Sequence, residues 1–177
     1  MTVNIKMEIR QKILVPTNFS GCSTAALNFA VFLTGELNAV IHLTHVMTIM
    51  GDPFVPKKER KHQHRKQLEQ EAAYWRGKGV LIETHLLKGE PSTQITEIAE
   101  GLQCDLIVMG LPFLSRIKDR LMTSTVESVI RSTVIPVFTV KDCPQIADHD
   151  HRRRMHRGVF FDEEWGEIGL NLVDLNQ

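Results

Sequence analysis

The sequence predicts an α/β fold: a doubly wound, five-stranded parallel sheet with helices on both faces. Five short apolar runs alternate with four stretches in which apolar residues recur at spacings of three and four, as in strands that alternate with amphipathic helices. Residues 105–140 show one complete unit of strand, loop, helix and strand, which requires parallel strands. Ligands bind such sheets where the strands end, so the loop after residue 109 is the first place to expect a site.

The first half of the chain predicts two strands and two helices. Residues 12–16 form the first strand, and the turn that follows makes Ser20 the N-cap of the first helix. Residues 39–46 form the second strand. Residues 57–76 predict a helix whose second half carries an apolar stripe. Its first half, KKERKHQHRK, is basic; we expect a solvated face there, with an anionic partner such as nucleic acid as the alternative.

The second half predicts three strands and two helices. Residues 80–87 form the third strand, and Pro91 lies in the first turn of the third helix. Residues 105–109 form the fourth strand, which breaks at Gly110. We expect the fourth helix to start near Ser124 and the fifth strand to span 137–140. The buried stripe of the fourth helix comprises Val126, Val129 and Ile130.

The amino-acid composition is that of an ordinary globular protein. Its 177 residues suit one main domain, and 21 basic residues balance 21 acidic ones, so no overall field attracts nucleic acid or a membrane surface. No run approaches the roughly 18 apolar residues of a membrane span, and the amino terminus lacks the apolar core of an export signal. We therefore expect a cytoplasmic protein in which Cys22, Cys104 and Cys143 are reduced thiols without a metal.

The stretch after the fourth strand resembles the universal stress protein family. Many members of that family carry a strand ending in Met-Gly and then Gly-x2-Gly-x9-Gly-Ser, a loop that cradles the phosphates of ATP. Gly110 and Ser124 match the first glycine and the final serine. Phe113 and Thr123 stand where the second and third glycines fall. The loop therefore keeps the family's length and lacks two of its glycines.

Weaker motifs in the same order extend the resemblance to about residues 10–141. They are the HV at the end of the second strand and the GEP before the third helix. The resemblance implies a Rossmann-like sheet with strand order 3-2-1-4-5. Residues 1–141 are then the universal-stress-type domain, and residues 142–177 are an extension outside the family pattern.

The resemblance also implies a cleft for a nucleotide or another anion. The family usually has an aspartate that contacts the nucleoside where this chain has Asn18, and its backbone near the HV often touches adenine. The candidate ligand-binding residues are Pro16, Thr17, Asn18, Val46, Met109, Gly110, Ser124 and Thr125. Two plainer roles stand beside these: Asn18 as a turn-former, and His45 as a hydrogen-bonded histidine at a strand end.

The missing glycines lead us to expect weak nucleotide binding. Glycine reaches positive φ freely and lets the backbone approach a ligand, and Phe113 and Thr123 do neither. Pro112 also lacks the amide hydrogen that a phosphate would accept from. Together with these losses, the resemblance implies a stress-response binding or regulatory protein that is not an enzyme and has no firm cofactor. ATP or AMP would bind weakly if at all.

Two alternatives remain open. The first is an adenine-nucleotide sensor with an altered phosphate loop. In it Ser124 and Thr125 offer a helix N-terminus, and nearby cations supply further charge: Arg116, Lys118 and Arg120. The second, less favoured, is a nucleotide hydrolase or transferase, for which Asp119 is the one carboxylate in the loop.

Partners are expected at the fifth strand and in the extension. In the order 3-2-1-4-5 the fifth strand is an edge, and residues 135–140 are apolar on both faces, so we expect a homodimer through them. The extension contains seven large apolar residues within 160–173, so we expect it to dock on the domain, its dimer mate or another protein. His149 and His151, with Asp148 and Asp150, are of metal-ligating type, but no fixed ligand geometry is apparent, so we expect a solvated linker with a metal site as the alternative.

Overall fold

The computed structural model describes residues 10–48, 56–111 and 117–141, with side chains in the last range from residue 125 onward. The elements in chain order are β1 (Gln11–Pro16), α1 (Gly21–Leu37), β2 (Ala39–Met47), α2 (Lys57–Arg76), β3 (Ile82–Lys88), α3 (Pro91–Leu102), β4 (Leu106–Leu111), α4 (Ile117–Ser132) and β5 (Val137–Lys141). This order confirms the predicted alternation of strands and helices.

Several predictions fall outside the described residues. They concern the extension at 142–177, with His149 and His151, and the loop residues 112–116. The side chains of the predicted loop candidates between 117 and 124 are likewise not described. Within the described ranges, no helix is both long and apolar enough to cross a membrane.

The sheet is parallel and has the strand order β3-β2-β1-β4-β5 that the resemblance implied. The first strand pairs with β2 on one side and with β4 on the other. The chain therefore leaves β1 and β4 in opposite directions, which opens a crevice at their carboxyl ends. This switch point positions the candidate site.

Each face of the sheet packs on two helices. Strand alternation sends Ile13 and Val15 to the face covered by α1 and α2, and Leu14 to the face covered by α3 and α4. All three are fully buried. Leu68 and Ala72 hold α2 on the first face as its apolar stripe predicted. A central strand buried on both faces explains why KILVP is a continuous apolar run.

Gly110 and Ile130 do not have the positions that the sequence predicted for them. Gly110 does not end the fourth strand, because it pairs with Val140 of β5 and the ladder continues to Leu111. Ile130 does not join the buried stripe of α4: it is 50% exposed, whereas Val126 and Val129 are buried. Ile130 directly follows Val129, about 100° further round the helix, and so points away from the sheet.

Cys104 is a core residue. It is buried between the sheet and α3, and burial raises the pKa of its thiol to about 11. The thiol is therefore protonated at neutral pH, and a protonated thiol is a poor nucleophile and metal ligand.

Candidate functional site

A cleft of about 810 Å³ opens at the carboxyl ends of β1, β2 and β4. It is lined by seven of the eight candidate residues: Pro16, Thr17, Asn18, Val46, Met109, Gly110 and Thr125. The side chain of the eighth, Ser124, is not described. The fold thus brings residues from four elements and the β1–α1 turn to one place. Their contact with a ligand stays a prediction.

The β1–α1 turn, residues 17–20, uses its polar groups internally. Asn18 Oδ1 accepts hydrogen bonds from the Ser20 amide at 3.2 Å and from the Ser20 hydroxyl at 2.6 Å. Thr17 Oγ1 accepts one from the Phe19 amide at 3.1 Å. Ser20 caps α1 in a reciprocal pair with Ser23. Asn18 is therefore a turn-former, the plainer of its two predicted roles.

Gly110 allows β4 to pass close to the start of α1. A Cβ at this position would lie 2.2 Å from the carbonyl oxygen of Cys22 and 2.8 Å from the amide nitrogen of Ser23. Both are backbone atoms, which cannot move aside as the end of a side chain can. Only glycine fits this approach. The first glycine of the motif thus has a packing role that is independent of any phosphate.

The fourth helix begins at Ile117, so the prediction of a start near Ser124 was wrong. Ser124 and Thr125 lie two turns inside the helix, where backbone amides bond to carbonyls one turn earlier. They do not offer the open helix N-terminus on which the altered-loop alternative relied. The cause is visible in the sequence: Thr123 replaces the glycine that would disfavour helix, and no proline or glycine lies between 117 and 132.

The N-termini of the two helices that flank the sheet near the cleft are closed by side chains. Ser20 caps α1. Glu90 caps α3 by accepting from the amides of Ser92 and Thr93 at 3.1 and 2.7 Å, and the Thr93 hydrogen bond is the main reason that the pKa of Glu90 falls to about 2. The N-cap of α2 is Pro56, which has no side-chain acceptor. The first-turn amides of α2 are thus not capped by that residue.

The first half of α2 turns one basic stripe to the cleft. The stripe consists of four cleft-lining residues, Lys57, Arg60, Lys61 and His64, and Gln63 beside them also lines the cleft. Spacings of three and four place the four stripe residues on one helix face, which continues into the buried Leu68 and Ala72. The expectation of a plain solvated face was therefore incomplete. The sequence held part of the signal, because the apolar stripe that packs on the sheet leads directly into these positions, but it did not show that α2 lies over the strand ends.

Three buried nitrogens of cleft-lining side chains have no hydrogen-bond partner among the described residues: His45 Nε2, Arg60 Nε and His64 Nδ1. His45 Nδ1 donates to the Thr17 carbonyl oxygen at 2.7 Å, which leaves Nε2 as an acceptor. Burial lowers the pKa of His45, so the ring is neutral at pH 7. Buried polar atoms normally have partners. A polar ligand would therefore gain most binding free energy by forming hydrogen bonds with these three atoms.

An aromatic cluster connects α2 to the β1–α1 turn. The rings of Phe19 and His45 have centroids 4.5 Å apart, and those of His45 and His64 are 4.7 Å apart and stacked. Glu71 of α2 adds a polar link, since its Oε2 lies 3.3 Å from Thr17 Oγ1. Burial raises the pKa of Glu71, so the ionised carboxylate lowers the stability of the folded protein.

Known proteins share the sequence pattern of the residues that build this fold. A family model described as the universal stress protein family matches residues 10–141. The universal stress protein MJ0531 of Methanocaldococcus jannaschii is 31% identical over 144 residues, which covers 74% of this chain and 82% of that protein.

Solved structures share the fold. Protein MJ0577 superposes with a TM-score of 0.62 at 26% identity, over 75% of this chain and 96% of that one. A universal stress protein family protein from Arabidopsis thaliana with AMP bound gives a TM-score of 0.57 at 16% identity, over 79% and 97% of the two chains. At that second identity the likeness shows the fold alone.

Proposed function

Because this chain belongs to the universal stress protein family, we propose that it is a binding module without catalysis whose cleft takes an adenine nucleotide. In this proposal the cations of α2 hold the phosphate, in place of a glycine-rich loop. The protein would act in the stress response by changing its interactions when the cleft is filled. ATP binds more weakly than it does to a family member with all three glycines.

One observation carries the proposal: the charge of the cleft lining. Among the described residues that line the cleft, Lys57, Arg60, Lys61 and Lys88 are cations and none is a carboxylate. The chain as a whole has no net charge, so this concentration of one sign is local. Cations grouped around a concave site with apolar walls attract an anion and focus the field on it.

The remaining lining suits the rest of a nucleotide. The buried acceptor at His45 Nε2 and the donor at Arg60 Nε need partners, which the polar edge of a base and a phosphate supply. A protein of the same fold holds AMP, which supports an adenine nucleotide as the ligand class. A monophosphate suits this cleft better than ATP, because the amides of Ser124 and Thr125 are inside α4.

The absence of catalysis is part of the proposal. Hydrolysis of a phosphate ester needs a base or a metal ligand beside the phosphate. The described lining contains no carboxylate, and His45 uses its Nδ1 to bond to the Thr17 carbonyl oxygen, so no carboxylate–histidine pair is present there to activate a water molecule. Incubation of the purified protein with ATP should release no phosphate above the rate in buffer. Turnover that survives repeated purification would favour the hydrolase alternative.

Assembly as a homodimer through residues 135–140 is also proposed. The fifth strand has one neighbour, β4, within the described sheet, and its Val137, Phe138 and Val140 are only partly buried. An apolar edge strand of this kind pairs with another edge unless charge blocks it. Ultracentrifugation should show a dimer at micromolar concentration, and Val137→Lys should shift it to monomer. A monomeric parent protein would contradict this proposal.

Calorimetric titration with AMP tests the ligand proposal. The double variant Lys57→Gln/Lys61→Gln should bind AMP at least about tenfold more weakly, which corresponds to about 1.4 kcal/mol. Lys58→Gln/Lys66→Gln is the matched control, since it removes the same charge from α2 at positions that do not line the cleft. Equal loss in both double variants would show that total charge matters and the cleft does not.

ATP provides the second arm of that test. Phe113→Gly/Thr123→Gly restores the glycines of the motif and should raise ATP affinity by more than tenfold. If neither AMP nor ATP binds the parent protein at millimolar concentration, the nucleotide proposal fails. The protein is then an interaction module that has lost its nucleotide. Micromolar binding of ATP by the parent protein would contradict the weak-binding part.

A further inference from the structure

Three side chains of metal-ligating type meet on β2 and β3. They are His42 of β2 and Glu83 and His85 of β3. In the parallel register His42 pairs with Glu83 and Thr44 pairs with His85, so all three side chains lie on one face of the sheet. It is the face that carries α3 and α4, because His42 is also in register with Leu14. None of the three lines the nucleotide cleft.

The distances within this cluster fit one small cation. His42 Nδ1 lies 3.0 Å from His85 Nε2 and 3.5 Å from Glu83 Oε2, and the three ligand atoms are within 4.8 Å of one another. A tetrahedral zinc ion with bonds of about 2.0–2.2 Å separates its ligand atoms by about 3.3 Å. We propose that His42, Glu83 and His85 form a zinc-binding site.

The ligand types favour a transition-metal ion. Two imidazoles and one carboxylate are a ligand set that zinc uses with its remaining position open, whereas calcium and magnesium prefer oxygen ligands. Glu83 is 64% exposed in its side chain, so the ion has a path from solvent. The carboxylate also offsets part of the charge that zinc brings to the sheet.

Burial keeps the histidines in the form that binds metal. His42 is only 4% exposed, and its Nε2 has no hydrogen-bond partner among the described residues. A second proton on this ring would therefore place a charge in the interior on a nitrogen without a hydrogen-bond partner, and the exposed Glu83 carboxylate offsets only part of that cost. Burial lowers the pKa of both His42 and His85, which agrees with neutral rings at pH 7. A neutral imidazole presents the lone pair that a metal needs.

Without metal, the same two rings can share one hydrogen bond, so the test must distinguish these states. Tag-free protein is stripped with a chelator and titrated with Zn²⁺ by calorimetry, then with Co²⁺, whose visible absorption reports tetrahedral coordination. We expect one zinc per chain with a dissociation constant in the micromolar range or below, and a melting temperature that rises with zinc concentration.

Variants assign the ligands. His85→Asn and the conservative, exposed Glu83→Gln should each weaken zinc binding by about tenfold or more, with unchanged circular dichroism. Two controls should bind as the parent does: His62→Asn, an exposed histidine on α2, and His149→Asn/His151→Asn in the extension.

Two outcomes overturn the proposal. One is no zinc binding by the parent protein at about 100 μM metal, a concentration at which even a weak specific site would fill. The other is binding that persists in His85→Asn and disappears in His149→Asn/His151→Asn, which would locate the metal in the extension. Neither outcome bears on AMP binding, because the two sites share no residue.

Discussion

The β1–α1 turn and the basic stripe of α2 line the same cleft and differ in what their polar groups do. In the turn, Asn18, Thr17 and Ser20 bond to one another and to the first turn of α1. In the stripe, Arg60 Nε and His64 Nδ1 are buried without partners among the described residues. A hydrogen bond from a ligand adds little binding free energy at a polar group that already has a partner, and it adds much more at a buried group that has none.

This difference assigns separate tasks to the two walls. Changes in the turn, and in the strand that packs on it, should lower stability and leave ligand affinity nearly unchanged. Changes in the stripe should lower affinity and leave stability nearly unchanged. The first three predictions below test this separation, and the fourth tests the polar link between the two walls at Glu71; they run from the largest expected effect to the smallest.

Gly110→Ala should lower the free energy of unfolding by about 3 kcal/mol, at the upper end of what overpacking usually costs. The reason is the 2.2 Å separation that its Cβ would have from the Cys22 carbonyl oxygen. Denaturation in urea measures the loss. Gly35→Ala is the control, because nothing lies within 4 Å of that added Cβ; it should gain up to about 1 kcal/mol from better helix propensity. An equal change in the free energy of unfolding in the two variants would contradict the packing role of Gly110.

Arg60→Gln should weaken AMP binding by about tenfold, or 1.4 kcal/mol, with no change in melting temperature. The affinity of the parent protein for AMP should also fall as salt rises from 50 to 500 mM, since the Debye length falls to about 4 Å at the upper concentration. Arg65→Gln, on the exposed face of α2, is the matched control. A variant that loses stability instead would place Arg60 among the structural residues.

Ser20→Ala should lower the free energy of unfolding by about 1 kcal/mol, because it removes the N-cap of α1. Its AMP affinity should stay within twofold of the parent value. Thr24→Ala is a useful control, since that exposed hydroxyl also bonds to the Ser20 carbonyl but caps nothing. A large loss of AMP affinity in Ser20→Ala would break the separation between the walls.

Glu71→Gln should raise stability slightly at pH 7, by less than the Ser20 cap contributes. Burial raises the pKa of Glu71 in the folded protein, so the ionised carboxylate opposes folding at pH values above that raised pKa. Below the ordinary pKa of glutamate the group is protonated in both states, and the variant should match the parent. Thermal melts at pH 4 and pH 7 measure the difference. A stabilisation that is equal at both values would contradict this cause.

The elements of the fold were predictable because their signals are local. The helix at 57–76 was predicted at its observed bounds, since its apolar stripe and the glycine that follows it both lie in the sequence. The strand order required the family resemblance, because periodicity says which runs are strands but not which strands are neighbours. The start of α4 was missed because the motif's final serine was expected at the helix N-terminus, whereas the helix already begins at Ile117.

The sites were less predictable, because they depend on register and helix rotation. His42 and His85 are 43 residues apart, and a slip of one residue between β2 and β3 would send His85 to the opposite face. The basic stripe was visible as spacing, but only the position of α2 over the strand ends gives it a cleft to face. No property of KKERKHQHRK alone distinguishes that face from an ordinary solvated one.

The close approach at Gly110 limits what the phosphate-binding motif can reveal about a chain. The fold alone requires this glycine, because any side chain there brings β4 into the backbone of α1. Positions 113 and 123 carry phenylalanine and threonine in the same chain, so the first glycine does not depend on the other two. A glycine at the first motif position is therefore evidence for the packing of β4 on α1 and is not by itself evidence for a bound phosphate.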